Sequence, residues 1–79
     1  MGIEKDLLEL MAKSLVDVPD EVEVNEIEGD RSSVLELKVA QIDIGKVIGK
    51  QGRIANALRT VVKAAAVKEG KRINVEILP

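Results

Sequence analysis

The chain has 79 residues, of which 46% are hydrophobic and 33% charged, and its formal net charge is −2. The sequence contains neither cysteine nor histidine, which excludes disulfides, thiolate metal sites and a histidine general base. It also contains no Phe, Tyr or Trp, so it cannot stack nucleic-acid bases on aromatic rings as RRM and OB-fold proteins do. We expect a small globular domain without a membrane-spanning segment, located in the cytoplasm.

Positive and negative charges are separated along the chain. Residues 1–45 hold twelve acidic and four basic side chains and therefore carry −8. Residues 46–72 hold eight basic side chains against Glu69 alone and carry +7, and Glu76 completes the total. A polyanion is expected to bind where the positive charge collects.

The first predicted element is an amphipathic helix over roughly residues 2–17. Apolar side chains recur in it at helical spacing, with charged side chains between them. The predicted apolar stripe consists of Ile3, Leu7, Leu10, Met11, Leu15 and Val18, and the predicted solvent side of Glu4, Lys5, Glu9 and Lys13. Pro19 ends the helix because it disfavours helical backbone at the residue before it.

Two strands are predicted next. The first contains Val22, Val24 and Ile27, and the change of parity between Val24 and Ile27 predicts a β-bulge or an early end. Residues 29–32, Gly-Asp-Arg-Ser, supply turn chemistry. Apolar residues at 35, 37 and 39 then alternate with charged residues at 36 and 38, which predicts a second, half-buried strand. We expect the two strands to form an antiparallel hairpin.

The second half of the chain predicts two helices and a strand. Asp43 is the expected N-cap of a short helix that ends near Ile48. After a Gly-Lys-Gln-Gly turn at residues 49–52, a longer helix runs from about Arg53 to Glu69, and Gly70 suits its C′ position. The predicted apolar stripe of this helix is Ile54, Leu58, Val61 and Ala65, widened by Ala57 and Val62. Alternation at residues 73, 75 and 77 predicts a third strand, so the element order is α-β-β-α-α-β.

Residues 47–53 give the strongest functional signal. Gly49 and Gly52 tolerate positive φ and allow another backbone to come close. The helix that follows presents unpaired N–H groups and a partial positive charge to an anion. Lys50 adds a charge and Gln51 a hydrogen-bond donor, so the segment suits a sugar-phosphate backbone.

Residues 43–53, Asp-Ile-Gly-Lys-Val-Ile-Gly-Lys-Gln-Gly-Arg, resemble the helix-loop-helix signature of KH domains. The element order resembles that of the type II KH fold, an α+β fold with helices on one face of a three-stranded sheet. The small size, the first helix and residues 59–66 are similar to the stand-alone bacterial KH proteins of the KhpA group. The resemblance covers essentially the whole chain, which implies a single KH domain over residues 1–79.

The resemblance implies binding of single-stranded RNA, self-association, and pairing with a larger RNA-binding protein of the KhpB or Jag type. It implies a post-transcriptional regulator or RNA chaperone that needs no cofactor. The bases would enter an aliphatic groove between the two helices that flank the loop and the second strand. The expected RNA-binding residues are Lys46, Val47, Gly49, Lys50, Gln51, Gly52, Arg53, Ile54 and Arg59. Ala55, Leu58, and Leu37 or Val39 are further groove candidates, and their assignment to groove or core stays open.

Two other kinds of site do not fit the sequence, and one alternative to RNA binding stays open. A nucleotide-binding P-loop does not fit, because only three residues separate Gly45 from Gly49 and Gln51 follows Lys50. Catalysis is not expected, because no histidine can activate a serine or threonine. The remaining alternative is a dimerising protein-interaction module with weak or secondary RNA binding, since a KH domain reaches only about four nucleotides. An exposed strand edge and the Ala-rich last helix are its candidate dimer surfaces.

Overall fold

A computed structural model describes residues 2–79. The helices are α1 (Ile3–Leu15), α2 (Ile44–Ile48) and α3 (Arg53–Lys68), and the strands are β1 (Glu23–Glu28), β2 (Ser32–Lys38) and β3 (Arg72–Ile77). Single 3-10 turns lie at Pro19–Glu21, Gln41–Asp43 and Lys50–Gly52. The predicted order α-β-β-α-α-β and the α+β class are confirmed, and both are consistent with a type II KH fold. None of the helices in residues 2–79 combines the length and the hydrophobicity that a membrane span requires.

The three strands form one mixed sheet in the order β1-β2-β3. β1 and β2 are antiparallel, as predicted, and β3 lies parallel to β2. The parallel pairing requires a crossover connection, which α2 and α3 supply. Residues 24, 35, 37, 73 and 75 face the helices and are buried, whereas the alternate residues face solvent on the open side of the sheet.

The predicted bulge or early end of β1 is wrong. β1 pairs with β2 in uninterrupted register, from Glu23 opposite Lys38 to Glu28 opposite Ser33. Val24 therefore faces the core, while Ile27 lies on the open side of the sheet with 54% of its surface exposed. The change of parity arises because Ile27 is an apolar residue on the outer face of a regular strand, and no residue is inserted.

α1 is rotated relative to the prediction. It turns Glu4, Leu8 and Ala12 towards the protein interior, whereas Ile3 and Leu10 are 61% and 65% exposed. Apolar residues cover more than one side of this helix, so helical spacing alone could not identify the side that meets the sheet. Glu4, which was expected in solvent, is only 1% exposed.

The buried face of α3 also differs from the predicted stripe. Ala55, Leu58, Val62 and Ala66 are buried, whereas Val61 is 44% exposed. The two alanines belong to this face because a small side chain lets the helix lie close to its neighbours. Leu58 and Val62 were predicted correctly, and the stripe was extended to the wrong side of them.

The end of α3 follows the prediction. Gly70 has φ +72 and stands at C′. Its N–H donates to the Val67 carbonyl at 3.0 Å, and the Lys71 N–H donates to the Ala66 carbonyl at 2.8 Å. These two bonds make a Schellman motif, which satisfies the last carbonyls of the helix and turns the chain into β3.

Candidate nucleic-acid interface

The turn between α2 and α3 is built from left-handed backbone. Gly49 has φ 76 and ψ 176, a combination that is essentially restricted to glycine. Gln51 (φ 58, ψ 27) and Gly52 (φ 73, ψ 15) are also in the left-handed region. The Gly52 N–H donates to the Gly49 carbonyl at 3.2 Å and closes the turn.

The two glycines of the turn have different packing roles. A Cβ atom on Gly49 would lie 2.6 Å from Cγ1 of Ile54 and 2.9 Å from its backbone nitrogen. Gly49 is therefore needed for the packing of α3 against the turn. A Cβ on Gly52 would meet no atom of the described residues within 4 Å. The space above Gly52 is open, and another backbone could approach it there.

Exposed cationic and polar residues neighbour Gly52 in the chain. Lys50, Gln51 and Arg53 are all exposed. In the part of the chain that the structure describes, neither Lys50 nor Arg53 forms a salt bridge. Both lie at the N-terminus of α3, where the helix dipole adds a partial positive charge. The turn and the first residues of α3 thus present unpaired positive charge to solvent.

Lys46, in contrast, is held by two carboxylates. Its Nζ lies 3.0 Å from Oδ2 of Asp17 and 3.1 Å from Oδ1 of Asp43. Asp43 is fully buried, and its two oxygens accept the backbone N–H groups of Asp17 (3.1 Å) and Val18 (3.0 Å). Asp43 does precede α2, as predicted, but its side chain caps no N–H of that helix. It joins the start of α2 to the segment after α1 instead.

These contacts shift the pKa values of both partners. Desolvation by burial acts to raise the pKa of Asp43, but the hydrogen bonds from Asp17, Val18 and Lys46 together outweigh it and hold that pKa below its ordinary value. The pKa of Lys46 is raised by its hydrogen bonds to Asp17 and then Asp43, against a smaller effect of desolvation. Lys46 is therefore positively charged, but the neighbouring carboxylates of Asp17 and Asp43 already balance that charge.

Arg59 lies on the flank of α3 that faces β3. Its Nε donates to the Val75 carbonyl at 3.1 Å, and its Nη1 donates to Oδ1 of Asn56 at 3.2 Å. The first bond satisfies a carbonyl on the free edge of β3 and fastens the helix to the sheet. The structure thus gives Arg59 a structural contact away from the loop.

Most of the residues proposed for the base-binding groove are buried. Val47 and Leu37 have no exposed surface, and Ala55, Leu58 and Val39 are between 4% and 7% exposed. All five are buried, and Val47 belongs to the hydrophobic core. Ile54 is half-buried and contacts Gly49, so it supports the loop.

An apolar groove lies between α1 and α3, and two of the groove candidates, Ile54 and Leu58, contribute to its lining. It has a volume of about 510 Å³ and is lined by Leu10, Met11, Ser14, Leu15, Arg53, Ile54, Ala57, Leu58 and Val61. The contribution of α1 to this groove was not predicted, because Leu10 and Val61 were placed in the apolar stripes of their helices. The excess of apolar residues on α1 was the signal that could have revealed it.

Comparison with known proteins assigns a family. The model described as "KhpA/KhpB, KH domain" matches residues 5–77. RNA-binding protein KhpA of Clostridium acetobutylicum is 70% identical over 74 residues, which cover 94% of this chain and 99% of that protein. RNA-binding protein KhpA of Aquifex aeolicus is 56% identical over 78 residues, with 99% of both chains covered.

Solved structures show the same fold in a longer protein. Aquifex aeolicus Era bound to GDP·AlF4− matches 95% of this chain with a TM-score of 0.66 and 20% sequence identity. Era in complex with MgGDPNP and nucleotides 1506–1542 of 16S ribosomal RNA matches 94% with the same TM-score and identity. The chain spans only 29% and 28% of those two proteins, so the likeness concerns the fold alone.

Proposed function

The chain belongs to the KhpA/KhpB family of KH domains, and from that membership we propose that it binds single-stranded RNA through residues 49–53. The family is not enzymatic, and the chain is not an enzyme. Relatives that are 56–70% identical over nearly their whole length are named as RNA-binding proteins, which supports RNA as the ligand. The observation that carries the proposal is the open, left-handed turn with unpaired Lys50 and Arg53 at the N-terminus of α3.

The proposed contact is a phosphate clamp. The open space at Gly52 admits the sugar-phosphate backbone, and the first N–H groups of α3 donate to a phosphate oxygen. Lys50 and Arg53 neutralise phosphate charge, so affinity falls as salt rises through the loss of counterion release. Gln51 donates a further hydrogen bond. Of the other predicted positions, Ile54 packs against Gly49 and Val47 lies in the core. Lys46 and Arg59 carry charges that are already hydrogen-bonded, Lys46 to two carboxylates and Arg59 to Asn56 and Val75 away from the loop.

A charge reversal in the loop tests this clamp. Fluorescence anisotropy with short, labelled single-stranded RNAs compares the unaltered chain with the variant Lys50→Asp/Gln51→Asp at two salt concentrations. Lys38→Asp/Asn25→Asp is a matched control, because it changes the charge equally on the open side of the sheet. We expect salt-sensitive binding that only the loop variant loses. Binding that survives in the loop variant, or that is indifferent to salt, would refute the clamp.

We also propose that a second subunit covers the groove between α1 and α3. This subunit is either another copy of the chain or a KH domain of a KhpB-type protein, and the shared KhpA/KhpB family supports that choice. Leu10 and Val61 line this largely apolar groove and are 65% and 44% exposed. Exposed apolar side chains that lie together suit a protein interface. Pairing would raise the effective concentration of a second RNA site and offset the weak affinity of one small domain.

Light scattering tests whether the groove between α1 and α3 mediates dimerisation. Val61→Asp places a charge in it, and Ile27→Asp places the same charge on the open side of the sheet. Only the first variant should be monomeric. A dimer that survives Val61→Asp would exclude the groove as the contact. A dimer that binds no RNA would favour the interaction-module alternative over the proposed role as a cytoplasmic regulator or chaperone of RNA.

A further inference from the structure

We propose a second phosphate-binding site, the distal cleft, at the end of α3 opposite the glycine loop. The cleft has a volume of about 640 Å³, and its basic lining residues are Arg31, Lys63, Lys71 and Arg72. Its inferred ligand is the backbone of the same RNA strand, beyond the nucleotides that the loop holds. The choice of RNA rests on the function proposed above, whereas the site itself rests on different residues.

The distal cleft concentrates positive charge in a chain whose net charge is −2. Four cationic side chains line it, and no carboxylate does. Over residues 2–79, Arg31, Lys63 and Arg72 form no salt bridge within 4.0 Å, and Lys71 reaches Glu4 and Glu69 only at 3.8 and 3.9 Å. Neighbouring like charges repel each other, so an anion in the cleft would relieve that repulsion.

The cleft forms because the fold brings three separate segments together. Arg31 belongs to the turn between β1 and β2, Lys63 to α3, and Arg72 to the first position of β3. Ser32 and Arg72 are partners in the parallel register of β2 and β3, which places the hairpin turn beside the end of α3. The distribution of charge along the sequence did not predict this cluster, because Arg31 lies in the acidic half of the chain.

The path from the loop to the cleft is polar. α3 has 16 residues and is therefore about 24 Å long, so its two ends form separate sites. Asn56, Arg59 and Lys63 are three or four residues apart and lie on the flank of the helix that faces β3, where Arg59 contacts both Asn56 and the Val75 carbonyl. A strand longer than the roughly four nucleotides of a KH site could follow this flank.

Acidic residues restrict the direction of approach. Glu26, Glu28 and Asp30 line a neighbouring depression that shares Arg31, Lys71 and Arg72 with the cleft. They lie on the hairpin side, so a polyanion would approach from the side of α3, where Lys63 stands. That is also the side on which a strand leaving the loop would arrive, which favours RNA over a separate acidic protein.

RNA length separates the two sites in an experiment. The variant Arg31→Gln/Arg72→Gln breaks no salt bridge of the described residues, and Lys13→Gln/Lys38→Gln removes the same charge elsewhere. Both are titrated by NMR and anisotropy with oligouridylates of about four and about twelve nucleotides. We expect the cleft variant to bind the short RNA normally and the long RNA about tenfold more weakly. The salt slope, meaning the magnitude of the slope of log K against log salt concentration, should fall by about 1.4 for the long RNA, or about 0.7 for each lost phosphate contact. The long RNA alone should shift the amide signals of Gly70 and Asn74.

The possible results distinguish the distal cleft from the loop. Equal losses for both RNA lengths, equal losses in the control variant, or no loss at all would overturn the cleft. An unaltered chain that binds poly-glutamate as tightly as the long RNA would also overturn it, in favour of an acidic protein ligand. If Lys50→Asp/Gln51→Asp binds both RNAs normally while the cleft variant loses the long one, the loop proposal fails and the cleft stands.

Discussion

The buried carboxylate of Asp43 accepts a hydrogen bond from the backbone N–H of Val18 at 3.0 Å, across 25 residues of sequence. The same carboxylate accepts the N–H of Asp17 and binds Lys46. The start of α2, and with it the glycine loop, is thereby fixed to the segment that leaves α1. A buried contact outside residues 49–53 thus helps to position the loop.

Removing that carboxylate should destabilise the domain. Asp43→Ala leaves the backbone N–H groups of Asp17 and Val18 without their acceptor and Lys46 with Asp17 alone, and unsatisfied polar groups in a buried site are costly. We expect the melting temperature to fall by roughly 5–10 °C, since a small domain shifts by about 4–8 °C for each kcal/mol. Thermal unfolding followed by circular dichroism measures it. An unchanged melting temperature would mean that the Asp43 contacts contribute nothing to stability.

The same group predicts a pH dependence. The pKa of Asp43 is lower in the folded than in the unfolded chain, so its stabilisation is complete above the ordinary value of 3.8 and is lost as the pH falls through the folded pKa. Asp43→Asn cannot titrate. The stability difference between the unaltered chain and this variant should therefore be constant near neutral pH and shrink below about pH 4. Urea unfolding at several pH values tests this, and a constant difference down to pH 2 would contradict it.

Three glycine-to-alanine variants should rank in a definite order. Gly49→Ala combines a glycine-only backbone with a 2.6 Å contact to Ile54, and we expect a loss of roughly 2–4 kcal/mol. Position 52 has φ +73 but open space for a Cβ atom, so Gly52→Ala should lower the free energy of unfolding by only about 1 kcal/mol. Gly45→Ala lies inside α2 in open space and should gain about 0.5 kcal/mol. Urea unfolding gives all three values, and a Gly52 loss as large as that of Gly49 would contradict the packing described here.

Lys46 and Lys50 should differ in what their removal affects. Lys50→Gln removes a free charge, so it should lower the salt slope of RNA binding by about 0.7 and leave stability unchanged. Lys46→Gln removes the partner of Asp17 and Asp43, so it should lower stability and change the salt slope less. Anisotropy titrations and thermal unfolding of both variants test the distinction. The reverse pattern would mean that Lys46 leaves its carboxylates to bind RNA.

Glu4 should be replaceable without loss. Its carboxylate is buried, neither oxygen has a hydrogen-bond partner within residues 2–79, and the Nζ of Lys71 is 3.8 Å away. A buried carboxyl group with such weak compensation contributes little to stability, and an apolar residue of similar volume in its place is often neutral or stabilising. We expect Glu4→Met to change the free energy of unfolding by between 0 and about +1 kcal/mol. A loss above 1 kcal/mol would show that the Lys71 ion pair stabilises the fold.

The predictions that were correct rest on local chemistry. The hairpin, the start of α3 at Arg53 and the C′ position of Gly70 follow from turn residues, periodicity and the conformational freedom of glycine. The rotations of α1 and α3 could not be predicted in the same way. Both helices have apolar residues on more than one side, and the side that enters the core depends on what the sheet presents to it.

The glycine loop could likewise be predicted from the sequence, but the contacts around it could not. Residues 47–53 contain the glycines and the charges of the proposed clamp, because a turn and a helix N-terminus are made from neighbouring residues. Lys46 and Arg59 looked equally free in the sequence, and only their partners Asp17 and Val75 show otherwise. Those partners are brought near by chain reversals that no local pattern encodes.

The sequence by itself determined the element order, the glycine loop and the separation of charge, since each depends on residues that are close along the chain. The tertiary structure decided which apolar residues are core, which form the groove between α1 and α3, and which cations are already paired. It also decided that Arg31 and Arg72 share one cleft. Those outcomes depend on packing between distant segments, where burial and electrostatic pairing are settled only once the chain has closed on itself.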